Sequence, residues 1–280
     1  MKKIEITFIS CVKNEIKYIE YLIKSIENTS PNFLNWKIIF IDDHSSDGTF
    51  EFLTSYKSSK IKVFKNNSNG KVFGTILGIE KSKTEWIKFI DGDDFLSLES
   101  LEFGDFNCDA FYHDYFILKD DIIIRQNISK SIYKNRKQWI YELRSIPKAM
   151  FFVKKKFFLN IHGLNECIFE DLYINQIIFI CCNKINKVDK PLYYYRQHKN
   201  NFYGNSFIGN RNKIRLLGKR IENMVFINYK YFKEIKINKQ LNIYSKFLQE
   251  FNFNILVKLI FSPRLFLKAI YYYLISKINR

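Results

Sequence analysis

The chain lacks the features that mark several protein classes. Its five cysteines have no Cys-x-x-Cys spacing and are odd in number, so we expect free thiols in a reducing cytoplasm rather than a disulfide framework. No uninterrupted apolar run approaches the roughly 18 residues of a membrane-spanning helix. Glu5 interrupts the apolar stretch that a signal peptide would need, which favours a first strand. The sequence also shows no internal repeat and no low-complexity linker.

Acidic residues are scarce in the second part of the chain. Residues 1–110 hold 14 Lys or Arg against 17 Asp or Glu, whereas residues 111–280 hold 31 against 11. Such a basic excess could contact nucleic acid, anionic lipid or an acidic acceptor. The codon bias of an AT-rich genome would also explain part of the Lys, Asn, Ile and Phe abundance.

Apolar runs alternate with amphipathic segments over the first hundred residues. We predict strands at 4–12, 36–41, 61–64 and 86–90, with helices opening near residues 14, 48 and 71. This β-α-β-α-β-α-β order with short connections predicts a mostly parallel sheet. Later strands are predicted at 109–118, 121–125, 149–153 and 188–195, and later helices at 135–145 and 170–181. The sequence therefore predicts an α/β catalytic domain over residues 1–205 and a basic amphipathic helical region over residues 206–280.

Two acidic clusters directly follow predicted buried strands. Their members are Asp42, Asp43 and Asp47 in the first, and Asp91, Asp93 and Asp94 in the second. The carboxyl ends of parallel strands are where open α/β sheets bind ligands. Carboxylates this close repel one another unless a cation neutralises them, and hard oxygen donors suit Mg²⁺ or Mn²⁺. We therefore predict a divalent-cation site with positions left open for the phosphates of a nucleotide or nucleotide sugar.

Six motifs occur in a characteristic order. They are Cys11-Val-Lys-Asn-Glu15, Ile-Asp42-Asp43-x-Ser-x-Asp47-Gly-Thr, Asn69-Gly70, Ile-Asp91-Gly-Asp93-Asp94, Phe-Glu170-Asp171-Leu-Tyr and Pro191-Leu-Tyr-Tyr-Tyr-Arg196-Gln-His198. Over roughly residues 4–205 this order resembles family 2 inverting glycosyltransferases with the GT-A fold, a Rossmann-like fold. The resemblance implies a nucleotide-sugar donor, with UDP the usual nucleotide of the family.

The resemblance also implies roles for four carboxylates. Asp43 would accept a hydrogen bond from a uracil-like imide. Asp93 would bind the Mn²⁺ or Mg²⁺ that bridges the donor phosphates, with Asp91 near the ribose or the same metal. Asp171 would be the base that takes the proton of the acceptor hydroxyl.

Five further residues are assigned to the donor site by the same resemblance. Arg196 and His198 would approach the diphosphate or the metal, His198 as a metal ligand. Lys13 stands where many relatives have an aromatic residue that stacks on the base. Asn69 and Lys71 flank Gly70 in place of the usual Gly-Gly pair. Lys13 and Lys71 are conceivable substitutes for the missing contacts.

Plainer structural interpretations stay open beside these roles. Asp42 and Asp47 could simply cap the helix that opens near residue 48, which we favour for Asp47. Glu170 and Asp171 could be ordinary acidic residues of a helix first turn. The C-terminal helices could be a cap on the sheet or a basic amphipathic segment on an anionic membrane surface.

The pattern as a whole favours a metal-dependent inverting glycosyltransferase. Its acceptor would be a surface glycan or a lipid-linked molecule, such as lipooligosaccharide or capsule precursor, on the cytoplasmic face of the membrane. A nucleotidyltransferase is the alternative enzyme, but residues 11–15 lack the glycine-rich, arginine-containing loop that it needs. An inactive scaffold or polyanion-binding module is the alternative outside enzymes. We expect no nucleic-acid partner, because the tail's aromatic residues lie in apolar stripes rather than between basic residues.

Overall fold

A computed structural model describes residues 3–120, 122–130, 132, 145–158 and 170–198. The strands are β1 (Ile4–Val12), β2 (Leu34–Asp42), β3 (Ile61–Lys65), β4 (Trp86–Phe89), β5 (Phe95–Leu96), β6 (Ala110–Lys119), β7 (Ile122–Gln126), β8 (Phe151–Lys154) and β9 (Ile185–Arg196). The α-helices are α1 (Ile19–Thr29), α2 (Thr49–Ser55), α3 (Lys71–Lys81) and α4 (Glu170–Cys181). Short 3₁₀ helices lie at Phe103–Phe106, Lys148–Met150 and Lys155–Phe158. Among these residues, no helix is both long and apolar enough to cross a bilayer.

The described strands form one sheet in the order β3-β2-β1-β4-β8-β6-β9-β5, with β7 paired to β6. Strands β3, β2, β1 and β4 are mutually parallel, which confirms the prediction for the first hundred residues. Because Val12 pairs with Asp42, and Asp42 with Lys65, the three strands end at the same edge. The acidic loop after β2 therefore opens at that edge, as the sequence predicts.

The second part of the sheet alternates in direction. Strand β8 is antiparallel to both β4 and β6, while β9 runs parallel to β6. Strand β9 is longer than predicted, beginning at Ile185, and its end returns to the acidic loop after β4. The two-residue strand β5 has no sequence signal, since it forms only by pairing with Tyr193 and Tyr194. The predicted helix at 135–145 and the C-terminal region from 206 lie outside the described residues.

Helix α1 begins at Ile19 rather than near residue 14. Asn14 adopts a left-handed backbone conformation with φ of 60°, which interrupts helical geometry. Its amide donates to Ser45 Oγ at 3.0 Å, and its side-chain oxygen accepts from the Ser46 amide at 2.8 Å. Contacts with a loop 31 or 32 positions away therefore override the local helical pattern.

Helix α3 packs closely on β1 because two glycines face the sheet. A Cβ added at Gly74 would lie 2.3 Å from Cys11 Sγ, and one added at Gly78 would lie 2.3 Å from Ile9 Cγ2. Their spacing of four residues places them on one face of the helix. The close approach of helix and strand thus explains the glycines at positions 74 and 78.

Replacing Gly78 by alanine should lower the free energy of unfolding by about 1–3 kcal/mol, because the new methyl group overpacks the contact with Ile9. At an open helical site the same change would instead stabilise the protein, by about 1 kcal/mol. Urea unfolding of both proteins measures the difference. Gly104→Ala is the matched control, since no atom lies within 4 Å of a Cβ placed there. A Gly78→Ala protein as stable as the parent would contradict the packing described here.

A lysine–histidine pair is buried in the middle of the sheet. Lys88 Nζ donates to the Ala149 carbonyl and lies 2.9 Å from His113 Nε2. His113 Nδ1 donates to the Asp114 carbonyl at 2.7 Å, so Nε2 is left to accept from Lys88. Burial holds the pKa of each side chain well below its ordinary value, and Lys88 lowers that of His113 further. Burial therefore disfavours the charged form of each side chain, and the pair is part of the core.

Candidate active site

The carboxylates of Asp47 and Asp42 in the first acidic loop differ in their hydrogen bonds. Asp47 Oδ1 accepts from the Thr49 amide at 3.0 Å and from its hydroxyl at 2.5 Å, and Oδ2 accepts from the Ile16 amide at 3.1 Å. Asp47 thus fixes the start of α2 and the turn before α1, although the N-cap residue itself is Gly48, with no side-chain cap bond. Asp42 Oδ2 accepts from the Ser45 amide at 3.2 Å. Its Oδ1 is buried with no hydrogen-bond partner in the described part of the chain.

Asp43 lies beneath the turn that leads into α3. Its Oδ1 accepts from Asn66 Nδ2 at 2.7 Å and from the Gly70 amide at 2.9 Å. Asn69 is exposed in this turn, and Lys13 is exposed directly after β1. The carboxylate predicted to read a nucleobase therefore also anchors the turn that carries Asn69. Asn66 had no signal in the sequence beyond its place in a polar loop.

Four charged side chains form a closed ring of alternating sign, here called the charge ring. Lys71 Nζ lies 2.6 Å from Asp91 Oδ1 and 4.0 Å from Glu170 Oε1. Lys148 Nζ lies 2.5 Å from Glu170 Oε1 and 3.8 Å from Asp91 Oδ1. Burial would raise the pKa of Asp91, but Lys71 and Lys148 outweigh it and hold that pKa at about 2. The Asp91 carboxylate is therefore ionised and shared between two lysines.

Asp93 and the end of β9 meet on the other side of the second acidic loop. Asp93 Oδ2 lies 3.0 Å from His198 Nε2, and Arg196 Nε donates to the Asp93 carbonyl at 3.0 Å. The His198 ring stacks on the Tyr18 ring with centroids 5.5 Å apart. The Arg196 guanidinium lies 4.9 Å from the centroid of the Tyr18 ring. The structure thus brings together Asp93, Arg196 and His198, as the sequence predicts. Tyr18, which the sequence analysis missed, supports two of them.

Asp94, the third acidic residue of this cluster, has a structural role. Its Oδ2 accepts from the Tyr193 hydroxyl at 2.6 Å, and its Oδ1 accepts from the Arg196 amide at 2.7 Å. Burial, then repulsion from Asp93 and Asp91, raises the pKa of Asp94 well above its ordinary value. Asp94 therefore connects the loop after β4 to β9 by hydrogen bonds.

Glu15 is a further carboxylate of the site that the sequence analysis did not select. A Cβ at Gly92 would lie 3.0 Å from Glu15 Cγ and 2.8 Å from Val12 Cγ1, so Gly92 makes room for these side chains. Burial, followed by repulsion from Asp93 and Asp91, raises the pKa of Glu15 to about 8. Its position directly after β1, beside the motif residue Asn14, was the available signal.

Asp171 opens α4 beside the charge ring. Its Oδ1 accepts from the Lys148 amide at 2.8 Å. Burial raises the pKa of Asp171, while Lys148 acts in the opposite direction. A helix N-terminus alone would lower that pKa, so burial outweighs the helix dipole here. The predicted base is thus a carboxylate with increased proton affinity next to the ring that contains Asp91.

Comparison with known proteins gives the family of one segment of the chain. Residues 7–102 match the model of the glycosyl transferase family 2. This segment belongs to glycosyltransferase family 2. The match contains both acidic loops, the turn with Asn69 and the start of α3.

The similarity to two curated relatives covers more of the chain than residues 7–102. Poly(ribitol-phosphate) beta-N-acetylglucosaminyltransferase TarS of Staphylococcus aureus strain MW2 is 21% identical over 192 residues, which are 65% of this chain and 34% of that protein. The chain therefore spans about a third of the first curated relatives that it matches. Cholesterol galactosyltransferase of Borreliella burgdorferi is 24% identical over 284 residues, which are 92% of this chain and 76% of that protein.

Solved structures with a similar fold are also known. S. aureus TarS 1–349 in complex with UDP-GlcNAc has a TM-score of 0.57 at 16% identity, covering 89% of this chain and 79% of that chain. The crystal structure of the same TarS fragment with UDP has a TM-score of 0.56 at 17% identity, covering 87% and 77%. These similarities confirm the predicted mixed α/β GT-A fold.

The donor atoms near Asp93 fit a divalent cation. A carboxylate oxygen and an imidazole nitrogen 3.0 Å apart are ligands that suit Mn²⁺, and a cation could replace the hydrogen between them. Within the described ranges, no group of three or more His, Cys, Asp and Glu side chains has metal-binding geometry. Asp91 is bound by Lys71, so its predicted role as a metal ligand would require this lysine to move.

Proposed function

We propose that this chain is a metal-dependent, inverting glycosyltransferase that moves a sugar from a nucleotide-sugar donor, UDP-linked, to a surface-glycan or lipid-linked acceptor. One observation carries the proposal. The loop after β4 carries both Asp93, which pairs with His198, and Asp91 of the charge ring, and Lys148 of the same ring binds the carboxylate of Asp171. Groups suited to a diphosphate therefore stand beside a carboxylate suited to accept a proton.

The nucleotide would bind over the carboxyl ends of β1 and β2. Asp42 Oδ1 is a buried acceptor without a partner among the described residues, and Asp43 lies next to it. Asp43 is the residue predicted to accept from the imide of a uracil base, and a donor group at Asp42 Oδ1 would remove the cost of an unpaired buried acceptor. The UDP and UDP-GlcNAc complexes of TarS support UDP as the nucleotide. Lys13 and Asn69 stand at the open rim of this region and would contact the base or ribose.

The residues around the charge ring would support displacement of the nucleoside diphosphate at the anomeric carbon of the sugar. The acceptor hydroxyl oxygen bonds to this carbon as the bond to the β-phosphate oxygen breaks and its electron pair leaves with the nucleoside diphosphate. Asp171 accepts the hydroxyl proton, and attack from the face opposite the leaving group inverts the configuration. Lys71 and Arg196 would bind the diphosphate. A bound Mn²⁺ or Mg²⁺, held by Asp93 and His198 with Asp91 nearby, would neutralise the charge that develops on the leaving group.

Two features support an acceptor at a membrane or cell-wall surface. The relatives named above act, by their names, on poly(ribitol-phosphate) and on cholesterol. The strongly basic second part of the chain would suit anionic lipid or an anionic polymer. We therefore propose a peripheral location on the cytoplasmic face of the membrane.

The chain's binding to anionic vesicles should weaken as salt rises. Each Lys or Arg near the lipid adds on the order of 1 kcal/mol that is screened within a Debye length. Apolar anchoring by Phe261, Leu265, Phe266 and Leu267 should leave a salt-resistant part. Co-sedimentation at low and high salt measures both, and truncation after about residue 250 should release the protein while sparing transfer to a soluble acceptor. No sedimentation of the full chain with acidic vesicles would end the membrane proposal.

A donor panel tests the proposed function itself. Nucleoside diphosphate release should require Mn²⁺ or Mg²⁺ and one class of nucleotide sugar, with UDP-sugars preferred over GDP- and CMP-sugars. The same panel run with EDTA is the control for the metal. Release with none of these donors, in the presence of candidate glycan and lipid acceptors, would overturn the proposal.

A further inference from the structure

Lys148 lies at the centre of the site although no sequence motif marks it. Its side chain is only 6% exposed, and its ammonium contacts Glu170 directly and Asp91 at longer range. Its own backbone amide donates to Asp171 Oδ1. One residue therefore touches the carboxylate on the donor side and both acidic residues that open α4.

The surroundings of Lys148 fix it firmly to α4. Asn175 Nδ2 donates to the carbonyls of Ile146 and Asp171, at 2.8 and 2.6 Å, and its Oδ1 accepts from the Ile146 amide at 3.1 Å. Thr75 Oγ1 donates to the second oxygen of Glu170 at 2.7 Å. The Glu170 carboxylate is thus held from both sides, and the segment before Lys148 is fastened to the helix.

Charge makes Lys148 important for Asp171. Four charged side chains face Asp171, namely Lys148 from the 3₁₀ helix, Glu170 from α4, Asp91 from the loop after β4 and Lys71 from α3. Two adjacent carboxylates withdrawn from water repel each other, so one of them takes up a proton unless a cation compensates. Lys148 is the cation in contact with Glu170 and supplies the amide bound to Asp171.

We propose that Lys148 is the positioning residue of Asp171, fixing it through the backbone amide and keeping it ionised by neutralising Glu170. The inference rests on the proposed function, in which Asp171 accepts the acceptor proton. Burial already raises the pKa of Asp171, and Lys148 is the first group that opposes the rise. Loss of the ammonium would therefore leave the base protonated over more of the pH range.

The pH dependence of kcat/KM in three variants tests this role. Lys148→Met keeps the backbone donor and the side-chain length but removes the charge. The low-pH side of the kcat/KM profile, its acid limb, should therefore shift to higher pH by at least about one unit. The rate should recover as the pH rises, because the base is protonated rather than misplaced, so the position of the limb is the readout. Lys148→Arg keeps the charge and should leave the limb in place. Glu170→Gln removes a like charge and should move the limb below that of the parent.

The double variant Lys148→Met/Glu170→Gln completes the cycle. It should return the limb towards the parental value, because the carboxylate that Lys148 neutralised is gone. It also leaves no unpaired buried charge at this pair, so it and Glu170→Gln carry the test if Lys148→Met does not fold. An acid limb that stays fixed in all variants, or a rate that falls equally at every pH, would overturn the positioning role. Transfer by Asp171→Asn at close to the parental rate would instead overturn the proposed function.

Discussion

Replacing Asp171 by asparagine should abolish sugar transfer and leave donor binding intact. The amide keeps the shape of the side chain and can still accept from the Lys148 amide, but it cannot take a proton at neutral pH. General-base catalysis contributes roughly 10²–10⁴-fold, so a loss of that order is expected in kcat. Steady-state kinetics with calorimetric titration of the nucleoside diphosphate separate the two effects.

A surface carboxylate provides the matched control for Asp171. Asp189 is about half exposed, and its carboxylate pairs with the exposed Lys130 and the buried Lys187, so Asp189→Asn should keep its activity. The parental acid limb should also lie above the range of an ordinary aspartate, because burial raises the pKa of Asp171. An Asp171→Asn protein that loses donor affinity but keeps its turnover at saturating donor would show that Asp171 binds the donor instead.

Replacing Asp93 by alanine should remove metal-dependent activity with little change in the thermal midpoint. Loss of the metal's stabilisation of the leaving group should cost at least a few kcal/mol, or roughly 10²-fold or more in rate. Mn²⁺ titration in the presence of UDP should show weaker binding for Asp93→Ala, and a smaller effect for His198→Ala, since His198 supplies one neutral ligand. Asp189→Ala is the control for loss of a carboxylate elsewhere. Full activity of the parent in EDTA, or of Asp93→Ala, would exclude the proposed metal role.

Local pattern predicted the parallel sheet well, because each strand from β1 to β4 is a short apolar run followed by a turn signal. The loops after β2 and β4 could be placed for the same reason, and with them Asp43, Asp91 and Asp93. Local pattern was wrong about the start of α1, where Asn14 takes its conformation from bonds to residues 45 and 46. It also gave no sign that Lys88, in a buried strand, pairs with a histidine 25 positions later.

The different contacts of neighbouring carboxylates in the acidic clusters could not be predicted from composition. Asp94 and Asp93 are neighbours, yet Asp94 bonds Tyr193 and Arg196 while Asp93 meets His198. Only the return of β9 to this loop, about a hundred positions along the chain, distinguishes them. Lys148 is similar, because its role depends on Glu170, 22 positions later. Long-range packing therefore decides which of these charged side chains are used to hold the protein together.

The anomeric configuration of the product tests the central claim most directly. With the purified chain, an α-linked UDP-sugar, Mn²⁺ and an acceptor found in the donor panel, proton NMR should show a β-linked product and one UDP for each linkage formed. Product with the α configuration would contradict an inverting displacement assisted by Asp171. Release of pyrophosphate with transfer of the nucleotidyl group would show that the site is that of a nucleotidyltransferase.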